Sequence, residues 1–244
     1  MAAKAEDWLW INQQRLFFAS PLKEAWVDPS DLAEAIGMIC NLREFEAIGS
    51  DRHFLHRSGM VMVGDTAITS AAFLAQRGKT DDFNQCLIEL PLSAGAGTSF
   101  RIDGKDYQCH GGVQGLFLPG QAMEATTEQP TCSLGFNLDP ARLSALLVSL
   151  SGNSTSPAQA RLDLQRPHCI DLADPRVKEV WEWLQNVLMM MESNHSLLGS
   201  PQGSLALAFE ELVYRASLVM IKPELIQSAA LMQAKAWEVP AFQD

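Results

Sequence analysis

The side chains able to do chemistry are few, and their spacing does not assemble them. His53 and His56 are separated by two residues. Successive side chains of a strand alternate between faces, so positions three apart point to opposite sides and do not converge on one metal ion. His110 stands alone beside Gly111-Gly112. Cys109-His110 and His168-Cys169 are adjacent pairs, and adjacent strand residues point apart, so neither makes a thiol–imidazole dyad. There is no GxSxG elbow. Residues 94–98 are Gly-rich but lack the GK[ST] of a phosphate loop, and no helical pattern follows, so a flexible loop is expected there. Asp171, Asp174 and Glu179 lie near a helix start, where carboxylates favour the dipole. Cys40, Cys86, Cys109, Cys132 and Cys169 are scattered without a CxxC pair and read as reduced core thiols. No catalytic residue, metal or cofactor is expected.

The bulk properties narrow the class further. The chain has 244 residues, 47% of them hydrophobic, enough for a real core. Its net charge of -11 repels phosphate, so tight binding to nucleic acid by this chain alone is not expected. No apolar run reaches a membrane span. The first residues lack a basic region followed by an apolar core, and Glu6, Asp7, Trp8 and Trp10 argue against a signal peptide, which points to a cytoplasmic protein.

The elements that position these residues change character along the chain. Residues 1–40 carry Trp8, Trp10, Phe17, Phe18 and Trp26, too many aromatics for a free tail, and are expected to pack on the body. Asp28, Pro29, Ser30 and Asp31 open a short helix predicted at 31–39. Residues 41–138 read as short strands near 45–48, 54–57, 60–63, 67–74, 85–90, 99–102, 105–109, 114–118, 122–125 and 132–137. Gly64-Asp65, Arg77-Gly78-Lys79, Asp103-Gly104 and Gln129-Pro130 read as turns between them. Many short strands mean an antiparallel barrel or sandwich. In residues 139–222, Asp139-Pro140 and Asp174-Pro175 cap helices, and 151–158 is a polar connection. Val177, Trp181, Leu184, Leu188 and Met191 form a heptad-like seam, repeated as Leu205, Phe209, Leu212, Ala216 and Val219. Such seams either pack on each other and the barrel or pair two copies of the chain. Residues 223–244 read as a weak helical turn and then a tether. The fold class is therefore α+β, an antiparallel barrel followed by an α-helical hairpin.

The order of these pieces resembles the N-terminal effector-binding and dimerisation portion of AraC-type transcription regulators. The resemblance rests on IDGKDYQCHGGVQGLFLPG (102–120), FNLDPARLSALL (136–147) and ALAFEELVYRASLVM (206–220), taken in that order. It implies a cupin-like barrel that binds a small organic effector, a helical region that forms a homodimer, and DNA contacts only through a C-terminal module absent from this chain. Cupin metal sites need two His separated by one residue, then a Glu, and a later His. His53 and His56 break that spacing, and the residues after Pro119-Gly120 supply no His, so the implied barrel is metal-free. Its apolar lining would come from Phe54, Phe73, Phe100, Tyr107, Phe117 and Phe136, with Arg52, His56 or Arg101 as a charged anchor. The dimer interface would use Trp181, Leu184, Leu188, Leu205, Phe209 and Leu212. The rival readings are a cupin metalloenzyme, an isomerase or dioxygenase, and an interaction module with a solid barrel.

Overall fold

The computed structural model describes residues 4–19, 25–37, 41–48, 53–152, 154–193 and 203–225. Local turn chemistry sets the meander at its centre. Asp103 and Gly104 both take positive φ (49° and 73°), the geometry that an Asp-Gly hairpin turn demands. They join β6 (Gly95–Ile102) to β7 (Lys105–Gly111), and Gly112 (φ 73°) turns the chain into β8 (Gln114–Leu118). The remaining strands are β1 (Leu42–Ala47), β2 (His56–Val63), β3 (Thr66–Phe73), β4 (Gln76–Thr80), β5 (Cys86–Pro91), β9 (Met123–Thr127), β10 (Thr131–Leu138) and β11 (His168–Asp171). They form one antiparallel sheet in the order β1-β4-β9-β6-β7-β8-β5-β10-β3-β2, with β11 added to β8. The sheet curls, so that β1, β4, β6 and β9 face β2, β3, β5 and β10 across a shared interior.

The helices are α1 (Ala5–Gln13), α2 (Pro29–Ile36), α3 (Pro140–Leu150), α4 (Pro157–Asp163), α5 (Pro175–Ser193) and α6 (Ser204–Ile221). Asp139 caps α3, its carboxylate accepting from the N–H groups of Ala141 (2.6 Å) and Arg142 (3.1 Å). Asp174 accepts from the Arg176 N–H at 2.9 Å at the start of α5. Period-2 alternation in β10 separates the two faces of the sheet. Leu134, Phe136 and Leu138 enter a core with Leu143 and Leu147 of α3, Leu184 and Leu188 of α5 and Val213 of α6. Ser133, Gly135 and Asn137 face the interior of the curl. A second core places Ile11 and Leu16 against Leu55, Ala72 and Cys132, with Trp8 and Trp10 packed on it. Phe17 joins the helix-side core, and its carbonyl accepts from the Ser70 hydroxyl at 2.6 Å.

Several elements differ from the sequence expectation. Arg77-Gly78-Lys79 is the middle of β4 and not a turn, because Gly78 lies opposite Phe45 and Ala125 in an interior strand. A Cβ there would come within 3.1 Å of the Phe45 ring, so the glycine makes room for an aromatic. Its flanking cations point outward, Arg77 to Glu46 and Lys79 to Glu44. Residues 95–98 belong to β6 and not to a flexible loop, with the ladder shifting register between Gly95 and Thr98. A Cβ on Gly97 would sit 1.4 Å from the Cys109 carbonyl oxygen, so glycine is required by backbone approach. The strands expected at 54–57 and 60–63 merge into the single strand β2, which begins only at His56. α2 begins two residues earlier than expected, at Pro29, because Asp28 is its cap. The polar connection gives way to α4 at Pro157, capped by Ser156, and His168–Asp171 forms a strand the sequence reading did not contain.

The α5 seam is buried as expected at Val177, Trp181, Leu184, Leu188 and Met191. On α6 the buried stripe is Ala206, Phe209, Val213, Ala216 and Met220, while Leu205 is exposed and Leu212 and Val219 are half-buried. That helix packs against both α3 and α5, and a helix with two neighbours buries a stripe rotated from a simple two-helix seam.

Candidate functional site

The concave side of the sheet encloses a cavity of about 310 Å³, closed on one side by the apolar residues Leu32, Ala35 and Ile36 of α2. A smaller chamber of about 180 Å³ adjoins it, and Ile36, Phe73, Thr80, Leu87, Glu89 and Met123 border both. Met60 lines the larger chamber and is 52% exposed, which places an opening at the edge strand β2. The combined space lies within the roughly 300–1,000 Å³ of ordinary ligand pockets. Its surface is mainly apolar, with a few polar groups pointing in, among them His56, Glu89, Ser133 and Asn137.

His56 is held tightly. Its ring stacks on Phe73 (centroids 5.3 Å, 11° between planes) and on Phe54 (6.3 Å, 15°). Its Nδ1 lies 3.4 Å from Gln76 Oε1, and its backbone bridges to Trp26 in both directions (2.7 and 3.0 Å). Burial pushes its pKa down to about 4, so the ring is neutral at pH 7. It is therefore not the charged anchor that the sequence reading allowed.

Glu89 lies in β5 between the core residues Ile88 and Leu90 and points the other way, into the cavity. Loss of bulk water pushes its pKa up to about 7, opposed by a hydrogen bond from Ser133. A Cβ built on Gly135 would lie 3.5 Å from Glu89 Oε2, so the glycine leaves space beside the carboxyl group. These shifts have opposite consequences for stability. The folded chain keeps the Glu89 proton up to about pH 7, while the unfolded chain loses it near 4.5. Stability therefore falls as pH rises through that window, by up to about 3 kcal/mol at roughly 1.4 kcal/mol per pKa unit. His56 takes up its proton near pH 6.5 when unfolded and near 4 when folded, so its contribution is lost as pH falls through that range. Glu89→Gln is expected to be more stable than the parent chain by about 2 kcal/mol at pH 8 and by little at pH 5, read from urea denaturation at the two pH values. An equal difference at both pH values would contradict a carboxyl group that holds its proton up to about pH 7.

The sequence candidates divide by register. Phe73 and His56 line the larger chamber and Phe100 the smaller one. Phe54 is buried behind His56, edge-on to Phe45. Tyr107 borders a separate surface groove with Gln165 and Arg166. Phe117 and Phe136 face the helices and belong to the core there, a correction that follows from the side of the sheet to which their positions point. Arg101 is on the outer face, paired with Asp106 at 2.8 Å, and does not reach the cavity. Arg52 lies outside the described residues. Glu89, Ser133 and Asn137 were missed. A single carboxylate in the otherwise apolar CLIELP, and small polar residues alternating with Leu and Phe in TCSLGFNL, were the available signals.

Of the helix positions expected to pair two copies, Trp181, Leu184, Leu188 and Phe209 are buried within the chain. Leu205 is exposed and Leu212 half-buried.

No protein-family model matches the sequence, and no curated protein matches it. Solved structures do. The AraC-like transcriptional activator CuxR superposes with a TM-score of 0.54 at 12% identity, covering 79% of this chain and 65% of that one. Over that span this chain shares the fold of that activator. It spans just under two thirds of the length of CuxR. Shorter barrel matches include the Clostridium difficile EutQ protein (TM-score 0.30, 10% identity, 35% of this chain and 69% of that one) and a cupin-like protein from Thermotoga maritima (0.29, 14%, 40% and 80%).

The resemblance to cupin-like barrels noted in the sequence raises the question of a metal. Among the described residues no group of three or more His, Cys, Asp or Glu side chains converges to hold one. His56 is committed to two aromatic rings and Gln76, and Glu89 to Ser133. The described residues around the cavity do not fit a metal centre. Among the described residues no helix is long and apolar enough to cross a membrane.

Proposed function

We propose that this chain is the ligand-sensing and dimerisation portion of an AraC-type transcription regulator. It is not an enzyme in this reading. A small organic effector occupies the metal-free barrel, and DNA is contacted through a C-terminal helix-turn-helix module outside this chain. Residues 41–138 are the sensing barrel, with 1–40 packed on it, 139–222 are the helical region, and 223–244 lead towards the DNA-binding module. A homodimer would use outward apolar side chains such as Trp183 and Met190 of α5 and Leu205 of α6, which are 44%, 49% and 44% exposed.

The observation that carries this reading is the cavity itself, lidded by α2 and joined to the helices by a buried polar strut. Glu210 of α6 accepts from the Asp65 N–H at 2.9 Å and the Thr66 hydroxyl at 3.0 Å in the β2–β3 turn, and pairs with Arg142 of α3. Strands β2 and β3 also line the cavity. A ligand that prefers one arrangement of these strands shifts the helices by as much as its affinities for the two arrangements differ, and by no more.

Native mass spectrometry of the purified chain, followed by denaturing extraction, tests it. A dimer is expected, carrying or accepting an organic molecule of a few hundred daltons at most. A monomer with no adduct removes both roles, and a stoichiometric metal adduct turns the reading to a cupin enzyme.

A further inference from the structure

The cavity has one kind of charge in it. Glu89 is the acidic side chain of its wall, and among the described residues neither chamber is lined by a lysine or an arginine. His56, the other titratable group in the lining, is flanked by Phe54 and Phe73 and carries no charge at neutral pH. An anionic guest would therefore meet an acidic group with no counter-charge, and an anionic or wholly apolar guest would hold the carboxyl group in its protonated form. A cation is the guest that pairs with the carboxylate. The space beside Glu89 left by Gly135, and the apolar walls from Leu87, Phe73, Met123 and α2, suit a compact apolar body attached to a charged head. At ~30 Å³ per water-sized group, the larger chamber of about 310 Å³ holds about ten such groups. We propose that the effector of this barrel is a small organic amine, bound as the ammonium ion with its nitrogen on the Glu89 carboxylate and its apolar part against Phe73, Leu87 and α2. This rests on the reading of the barrel as an effector site.

Binding of an ammonium ion then couples to the proton on Glu89. The free carboxyl group is half-protonated near pH 7, and the complex requires the carboxylate, so binding at pH 7 or below expels a proton. The other titratable groups around Glu89 stay silent through this range. His56 from β2 remains neutral. Cys109 of β7, whose thiol donates to the Glu89 carbonyl at 3.8 Å, and Cys132 of β10 both have thiol pKa values raised by burial, that of Cys132 to about 12. The linings from β4 and α2 are uncharged, Gln76 and Thr80 on one and Leu32, Ala35 and Ile36 on the other. Affinity for an amine should rise about tenfold per pH unit below pH 7 and level off above it.

Isothermal titration calorimetry on the full chain tests this, with benzylamine and hexylamine as probes. Each amine is compared with its alcohol (benzyl alcohol, hexanol) and its carboxylate (benzoate, hexanoate), on the parent chain and on Glu89→Gln, from pH 5.5 to 8.5. At pH 8 at least one amine is expected to bind tenfold or more tightly than its alcohol and its carboxylate. Glu89→Gln should erase that preference, so that in the variant the amine binds no more than about threefold more tightly than its alcohol. Titrations at pH 7 in buffers of different ionisation enthalpy should show net proton release, absent in the variant. If the alcohols or carboxylates bind as well as the amines, or Glu89→Gln leaves the preference intact, the amine assignment fails while the barrel remains an effector site. If none of the six probes gives heat and none shifts the thermal midpoint at millimolar concentration, both the assignment and the effector reading fail.

Discussion

Leu184→Glu is expected to leave the chain unfolded or nearly so at pH 7, while Leu212→Glu is expected to fold. Leu184 is fully buried in the core that joins α5 to α3, α6 and the convex face of the sheet. Replacing it forfeits about 1.5–3 kcal/mol of side-chain burial. The carboxyl group must then either stay ionised without a partner or hold its proton far above its ordinary pKa, at about 1.4 kcal/mol per unit. The total reaches about 5 kcal/mol or more, the scale of a whole domain's stability. Leu184→Ala, which only removes volume, should cost about 2–5 kcal/mol. Leu212 is half-buried and lies beside the α6 stripe, so its carboxylate can reach water and the cost should stay near 1 kcal/mol. Urea denaturation followed by circular dichroism separates the two. Similar midpoints for both variants would mean that α5 and α6 do not pack as described. Once folded, Leu212→Glu also reports on association, because a charge at the edge of the exposed helix surface opposes pairing of two copies.

Glu210→Ala is expected to cost about 2–4 kcal/mol, more than Glu210→Gln at about 1–2 kcal/mol, scaled from the penalty for breaking a buried ion pair. Glu210 is 1% exposed and holds the β2–β3 turn through Asp65 and Thr66. It also pairs with Arg142, whose guanidinium lies 4.2 Å from the centroid of the Tyr214 ring. The Tyr214 hydroxyl accepts from the Asp139 N–H at 2.7 Å, so the cap of α3 belongs to the same network. Alanine leaves the buried Thr66 hydroxyl and the Asp65 N–H without their acceptor. Glutamine keeps a carbonyl oxygen there and loses only the charge. Because Arg142 is 36% exposed, water offsets part of the lost attraction, which places the estimate below that for a fully buried pair. Chemical denaturation gives the ranking, and hydrogen exchange at Asp65 should rise more than exchange in β8. Equal loss for both substitutions would assign the effect to side-chain volume, and no loss would dissolve the strut.

Much of this architecture was legible because its signals are local. Asp103-Gly104 specifies a hairpin turn by its φ requirements alone, and Asp139-Pro140 specifies a helix start through a cap and a missing N–H. The α5 stripe was readable from its spacing. The errors fell where a local signal had a non-local cause. Gly78 looks like a turn glycine, and it is glycine because of a phenylalanine on another strand. Gly97 looks like loop flexibility, and it is glycine because of a carbonyl on the neighbouring strand.

The sequence by itself determined an α+β chain, a strand-rich region closed by turn residues, a helical region opened by Asp-Pro caps, and an acidic surface without a metal-ligand spacing. These follow from backbone preferences and composition, which each residue carries wherever it sits. Only the tertiary structure decided which face of each strand became the cavity. A one-residue change of register exchanges Phe136 for Asn137 and Ile88 for Glu89. That choice is made by which face finds helices to bury against. The large residues Leu134, Phe136 and Ile88 went to the helices, and the small or polar Ser133, Gly135 and Glu89 were left around the cavity.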